Sequence, residues 1–284
     1  MVTRFLRVKK MPDRMDDRPF KELKNTHKKL RGKNSSEEDE FRNSYEDTER
    51  ALAYATLEFP GTYYLAYRDL PEIISQHVRG REALDFGCGT GRSTRFLNRL
   101  GFKTVGIDIS KEMIGKAKDR DPEGDYRVIE ESNLCQFEEN SFDLVLCAFT
   151  FDNIPTMEKK IKNFEKIERV LKREGKIINL VSSPEIYTHE WASFSTKDFP
   201  ENLTARSGEK VRIIQTDLED KRPVEDVICS EDDYRRVYEK AGLDIAVVVR
   251  PLAREDEPYP WVNETKIPPW TIYILKKREA REGR

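Results

Sequence analysis

Residues 83–97 read ALDFGCGTGRSTRFL, so three glycines at alternate positions, Gly87, Gly89 and Gly91, follow directly on a short β-rich run. Glycine lacks a Cβ atom, so such a turn is tight, takes positive φ, and lets another molecule lie against bare main-chain amides. The residues after it, RSTRFLNRL, have helical spacing and end at Gly101. At the carboxyl edge of an open parallel sheet, the turn between the first strand and its helix faces the point where the strand order reverses, and ligands bind there. A bare turn does not require three glycines, each of which costs conformational entropy.

The flanking sequence supplies the sheet. KTVGID (103–108) reads as a strand and SKEMIGKAK (110–118) as a helix with Ser110 as its N-cap. YRVIE (126–130) and SFDLVLCAF (141–149) are further strands, followed by the amphipathic helix MEKKIKNFEKIERVLKR (157–173) and the buried strand KIINLVS (176–182). Strands alternating with helices imply a parallel sheet covered on both faces. Before it, residues 44–78 hold two helical stretches interrupted by the breaker pair Pro60-Gly61. The alternation stops after residue 182 and resumes with the helix EDDYRRVYEKAGL (231–243) and the strands DIAVVV (244–249) and WTIYIL (270–275). The chain therefore divides into an arm (1–45), a core (46–182), an insertion (183–230) and a closing segment (231–278) that completes the core sheet. An insertion of that length is too long for a plain connection and reads as a lid over a site, with KVRIIQTD (210–217) as one of its strands.

The 284 residues suffice for one large α/β domain. Lys and Arg number 51 against 53 for Asp and Glu, so the net charge of −2 exerts no overall pull on nucleic acid or anionic lipid. The arm is basic at first and then rich in Ser, Asn and Glu, without an apolar period, and reads as a solvated extension. No apolar run approaches spanning length and no secretory signal is evident, so a cytoplasmic location is expected, with no membrane partner. Four cysteines, Cys88, Cys135, Cys147 and Cys229, lack paired spacing, which points to reduced thiols and neither a metal site nor a disulfide framework.

Two ligand classes suit such a loop. A nicotinamide or flavin dinucleotide wants the spacing G-x-G-x-x-G, but the third position here is Arg92. The strand also carries Asp85, a poor neighbour for a pyrophosphate and a good one for a cationic amine. LDFGCGTG resembles the first motif of the class I S-adenosylmethionine-dependent methyltransferases, hydrophobic-(D/E)-x-G-x-G-x-G, in the manner of their small-molecule members. VGIDIS resembles the family's second motif, EESNLCQFEENSFDLV its third stretch, and AGL before the last strand pair its ending. The resemblance covers roughly residues 46–182 and 231–276. It implies a Rossmann-like fold with a seven-stranded, mostly parallel sheet, helices on both faces, and S-adenosyl-L-methionine as cofactor.

Carried over position by position, the resemblance sets Gly87, Cys88, Gly89 and Gly91 around the methionine part of the cofactor and Asp85 toward its ammonium. Asp108 takes both ribose hydroxyls, and Ile109 and Met113 lie against the adenine, although Met113 is equally readable as core. Glu131 stands where the family usually has Asp at the adenine amino group, with Ser132 and Asn133 as substitutes. Ala148 and Phe149 lie beside the methyl donor. In GTYYLAYRD (61–69), placed where relatives fold a helix over the cofactor, Tyr64 and Arg68 are cofactor candidates, Arg68 for the carboxylate. Tyr63 and Tyr67 are acceptor-side candidates, as are Phe151 and Asn153 beyond the fourth strand and Trp191 in the insertion. His189, as the side chain best suited to take a proton near neutral pH, and Asp152 are the candidate catalytic groups. The implied activity is methyl transfer to an oxygen or nitrogen of a small molecule by in-line displacement. An RNA methyltransferase using the arm and a non-catalytic cofactor-binding protein are the alternatives; no N-P-P-Y-like motif of nucleic-acid amino-methylating relatives is present.

Overall fold

The computed structural model describes residues 59–130 and 133–279. The arm and the first helical stretch lie outside the described residues, as do Glu131 and Ser132. The described chain begins with two short helices, α1 (Thr62–Arg68) and α2 (Leu70–His77). The alternation then runs β1 (Glu82–Phe86), α3 (Arg92–Arg99), β2 (Lys103–Asp108), α4 (Lys111–Arg120), β3 (Asp125–Val128), β4 (Phe142–Ala148), α5 (Met157–Val170) and β5 (Leu171–Ser182). Three strands of the insertion follow, β6 (Phe194–Ser195), β7 (Lys210–Gln215) and β8 (Val224–Val227), then α6 (Glu231–Lys240), β9 (Leu243–Val249) and β10 (Trp270–Lys277).

Seven strands form one sheet in the order β3-β2-β1-β4-β5-β10-β9, parallel except for β10, which runs antiparallel to both neighbours. The order reverses between β1 and β4, so the glycine turn after β1 sits at the switch point. Period-two alternation divides the apolar side chains between two faces. Ala83, Leu144, Leu146, Ile178, Leu180, Ile272 and Ile274 pack with α1, α2 and α3. Leu84, Phe86, Val145, Cys147, Ile177, Val181 and Tyr273 pack with α5 and α6.

Local signals set the helix ends. Ser110 accepts the Met113 amide at 3.2 Å as N-cap of α4, and Thr156 and Ser230 do the same for α5 and α6. The amphipathic run at 157–173 ends earlier than its periodicity implies. Leu171 turns to extended backbone, pairs with Phe142 and is fully buried, so β5 begins at once with an irregularity in register.

Within the insertion, β6, β7 and β8 make a separate antiparallel sheet. It is stitched to α1 by reciprocal hydrogen bonds: the Thr62 amide donates to Ser193 Oγ at 2.9 Å and the Ser193 amide donates to Thr62 Oγ1 at 3.0 Å. Glu264, fully buried in the irregular stretch between β9 and β10, accepts from Thr62 Oγ1 and the Ala192 amide, both at 2.7 Å, and from the Val262 amide at 2.8 Å. One carboxylate thus clasps α1, the insertion and the segment before β10.

Candidate functional site

The carboxyl ends of β1, β2 and β4 open into a cavity of about 570 Å³. Gly87, Gly89 and Gly91 have φ of 74°, 53° and 78°, and their roles separate when a Cβ atom is placed on each. At Gly87 it would strike the Thr150 side chain at 2.3 Å, and at Gly91 the Tyr126 ring at 2.7 Å. At Gly89 nothing lies within 4 Å. Gly87 and Gly91 are therefore required by the protein's own packing, whereas the bare face of Gly89 looks into open space at the cavity wall.

Asp108 ends β2 and turns back under this loop. It accepts the Gly89 amide on one oxygen and the Ser110 amide on the other, both at 2.9 Å, and it lines the cavity. Burial pushes its carboxyl above the usual range, while the same amides pull it down. Ile109, half exposed, and Met113, almost fully buried, line the wall beside it together with Ile129. Cys88, Ala148, Phe149, Tyr67 and Asn153 line it as well. Burial pushes the Cys88 thiol far up, with the Asp85 and Asp108 charges adding, so it is a neutral wall atom.

Other residues singled out in the sequence lie elsewhere. Asp85 is fully buried behind the loop, taking the hydroxyls of Ser93 and Thr94 at 2.6 Å each, and so fastens the start of α3 rather than facing the cavity. Burial pushes its carboxyl up to about 6. Arg68 is tied to Asp69 and Glu257, at 2.7 Å each, and is not brought to the cavity. Tyr64 packs its ring 5.1 Å from that of Tyr259, and exposed Asn133 accepts the Cys135 amide. Phe151 is core, stacked 4.0 Å from Phe164. His189 contacts Thr188 Oγ1 at 3.0 Å and the Glu185 carbonyl at 3.1 Å, and buried Trp191 donates to the Ile186 carbonyl. Neither lines this cavity or the smaller one beside it, since both are held against the insertion's own backbone at Glu185 and Ile186. Glu131 and Ser132 lie outside the described residues.

Tyr63 and Asp152 meet in a second, smaller chamber that shares Phe149 and Asn153 with the first. Asp152 accepts the Ser182 amide at 3.0 Å, and burial pushes its carboxyl up to about 6 against the opposing pull of those hydrogen bonds and of Lys160. Phe149, between the two spaces, holds a left-handed φ of 63°. Such strain in a bulky residue is retained where the surroundings impose it, and it clusters at functional sites.

The sequence used Arg92 only to set aside a dinucleotide and not as a site residue, yet it is 5% exposed and lines the cavity. Its guanidinium lies over the rings of Tyr63, Phe59 and Tyr67 at 4.9, 5.5 and 5.6 Å. The signal was present, since an Arg at the first helical position after a glycine loop points where the loop points. Thr150, Lys159, Lys162, Asn163 and Lys166 also line the cavity.

The profile of the family described as "Methyltransferase domain" matches residues 84–179, the span from β1 to β5 that carries the glycine loop and Asp108. A methyltransferase domain is therefore what this span is similar to. Among relatives of this methyltransferase domain, a ubiquinone biosynthesis O-methyltransferase of Burkholderia vietnamiensis is 33% identical over 84 residues, 28% of this chain and 36% of the relative. An uncharacterized methyltransferase of Alkaliphilus oremlandii is 25% identical over 58% of this chain and 76% of its own length. The chain thus spans about a third of the length of the first of these. A solved S-adenosylmethionine-dependent methyltransferase from Clostridium acetobutylicum superposes with a TM-score of 0.55 at 18% identity, over 80% of this chain and 95% of that one, which is a likeness of fold. Among the described residues, no cluster of His, Cys, Asp or Glu is arranged to hold a metal, and no helix is long and apolar enough to cross a membrane.

Proposed function

We propose that this chain transfers the methyl group of S-adenosylmethionine to an oxygen or nitrogen of a small-molecule acceptor, by in-line displacement at the sulfonium. The open face of Gly89 carries the reading: its neighbours are glycine because protein atoms crowd them, and it is glycine beside a large cavity with no protein atom in reach. The residues present fit the cofactor. Main chain at 87–89 borders its methionine part, with Arg92 rather than Arg68 placed for the carboxylate. Asp108, which lines the cavity beside Gly89, takes the ribose hydroxyls, and Ile109, Met113 and Ile129 supply the apolar adenine wall.

When bound, the sulfonium supplies an electrophilic methyl carbon with a good leaving group, so the protein's work is alignment and exclusion of water. Phe149 and Tyr67 close the cavity with apolar surface. The insertion, clasped through Glu264, roofs the neighbouring chamber, where the acceptor belongs. Of the two candidate catalytic groups, Asp152 rather than His189 is the one to take a proton, since it lines that chamber and the imidazole does not.

Calorimetric binding of S-adenosylhomocysteine tests the reading. Asp108→Ala is expected to weaken it by about ten- to a hundredfold, the worth of charge-assisted hydrogen bonds. Unchanged affinity would remove Asp108 from the site. Labelled methyl transfer to a panel of phenols, amines and carboxylates then separates an enzyme from a protein that only binds the cofactor.

A further inference from the structure

One side of α5 forms a wall of the large cavity. Lys159, Lys162, Asn163 and Lys166 stand at i, i+3, i+4 and i+7, so they share one side of the helix, and all four line the space that Ile109, Met113 and Ile129 also line. The three lysines end in donors only. Asn163 differs from them: it is 6% exposed, and its side-chain oxygen is buried with no hydrogen-bond partner among the described residues. An unpaired buried carbonyl weakens a fold, where an apolar side chain of the same shape would not, so its presence on a cavity wall calls for a donor from outside the chain. Among the described residues of this cavity, Asn153 carries the one other such oxygen, but it is only half-buried and belongs equally to the second chamber.

The cofactor carries a donor of the right kind. The exocyclic amino group of adenine is flat, uncharged and a donor, and it stands beside ring nitrogens that accept. A side-chain amide meets such a pair with its carbonyl and its NH2 together, the pairing by which asparagine reads adenine in nucleic acids. The other polar side chains of the cavity are engaged: Asp108 holds the Gly89 and Ser110 amides, Ser110 caps α4, and Thr150 donates to the Phe86 carbonyl. Asn133, which the resemblance offered for the adenine edge, is exposed and accepts the Cys135 amide.

Resting on the reading of this cavity as the cofactor site, we propose that Asn163 recognises the adenine ring. Its carbonyl accepts the exocyclic amino group, and its NH2 donates to the neighbouring ring nitrogen. The residue lies on the helix after the fourth strand, outside the glycine loop, the acid that ends β2 and the stretch after β3 from which the resemblance draws its contacts. Because the amide is buried, a purine without the amino group leaves its carbonyl stranded again, and the site rejects that purine for this reason.

The test is displacement of labelled S-adenosylhomocysteine from the full chain by adenosine and by purine riboside, which lacks only the amino group. On the native chain adenosine is expected to displace it at least about tenfold more effectively. Asn163→Leu keeps the size of the side chain and removes both polar ends, and on it the two nucleosides are expected to agree within about twofold, a collapse of selectivity that a merely structural asparagine would not produce. Equal displacement by the two on the native chain overturns the proposal. So does a tenfold preference that survives the substitution, since the amino group would then meet another acceptor. Where Asn163→Leu does not fold, Asn163→Ala is read for the same ratio. Failure of S-adenosylhomocysteine to bind the native chain overturns the cofactor reading beneath the proposal, whereas its binding with the preference absent, or unchanged in the variant, overturns only the role of Asn163.

Discussion

Asp85 is fully buried beneath the glycine loop, and its carboxyl is pushed from 3.8 to about 6, first by burial and, to a lesser degree, by the Asp108 charge. The folded chain therefore holds a proton that the unfolded chain has already released, so this group's contribution to stability is greatest at low pH. It falls as pH rises from the unfolded value toward the folded one. A rise of about two units, at about 1.4 kcal/mol each, makes the ionised form costlier by about 3 kcal/mol in the folded state. Between about pH 4 and about pH 7 the loss amounts to roughly 2.5 kcal/mol. Asp85→Asn removes that titration while keeping an acceptor for one of the Ser93 and Thr94 hydroxyls. Urea denaturation of both proteins across this interval is the assay. The variant carries a fixed penalty for the altered hydrogen bonds, but its stability relative to the native chain is expected to climb by roughly 2.5 kcal/mol from the acid to the neutral end. A difference that stays flat across the interval would refute the reasoning, because it would mean that Asp85 titrates alike folded and unfolded.

Gly89→Val adds a side chain where no protein atom stands, so it is expected to cost about 1–2 kcal/mol through its positive φ yet abolish measurable S-adenosylhomocysteine binding by calorimetry. Gly91→Ala, which drives a Cβ into the Tyr126 ring, is expected to cost more stability than that in a thermal melt. Glu264→Ala strands the Thr62 hydroxyl and the Ala192 and Val262 amides, and a loss of at least about 3 kcal/mol is expected in urea denaturation. At Phe149, glycine is expected to be more stable than alanine by about 1 kcal/mol, the reverse of the order in an ordinary strand, because both lose the ring and only glycine relieves the left-handed φ. Equal melting temperatures for the last pair would remove the strain argument.

The core sheet and its switch point were legible because the residues that make them act locally. Three glycines beside a strand end constrain their own backbone, Ser110 caps the helix it begins, and Asp108 sits next to the amides it accepts. A motif of that kind says where main chain and ligand meet. It says less about which way each neighbouring side chain points. Asp85 was read as facing a cation and instead binds two hydroxyls eight and nine residues ahead, across the glycine turn, and Arg68 was read as a carboxylate partner but found Glu257, far along the chain, instead. In each case the competitor was a tertiary contact that spacing alone does not encode.

The chamber was harder to read, because its walls come from α1, the turn after β4, the end of β5, the insertion and β10, five places with no common spacing. Part of it was nevertheless recoverable from alternation. In β7, Val211, Ile213 and Gln215 fall on one face, and in β8 Val224 and Asp226 do; where the valines and isoleucine turn inward, the polar residue in step with them must be buried too. Helical spacing says the same of Lys160, which shares the buried stripe of α5 with Phe164 and Ile167. A polar side chain in phase with an apolar face is costly to desolvate, so its presence there marks a partner or a ligand. His189 drew attention for its chemistry, whereas Asp226, Gln215 and Lys160 stood out only by phase. It is the phase that follows the fold, and it led to the residues that share a cavity or the buried ground beside one.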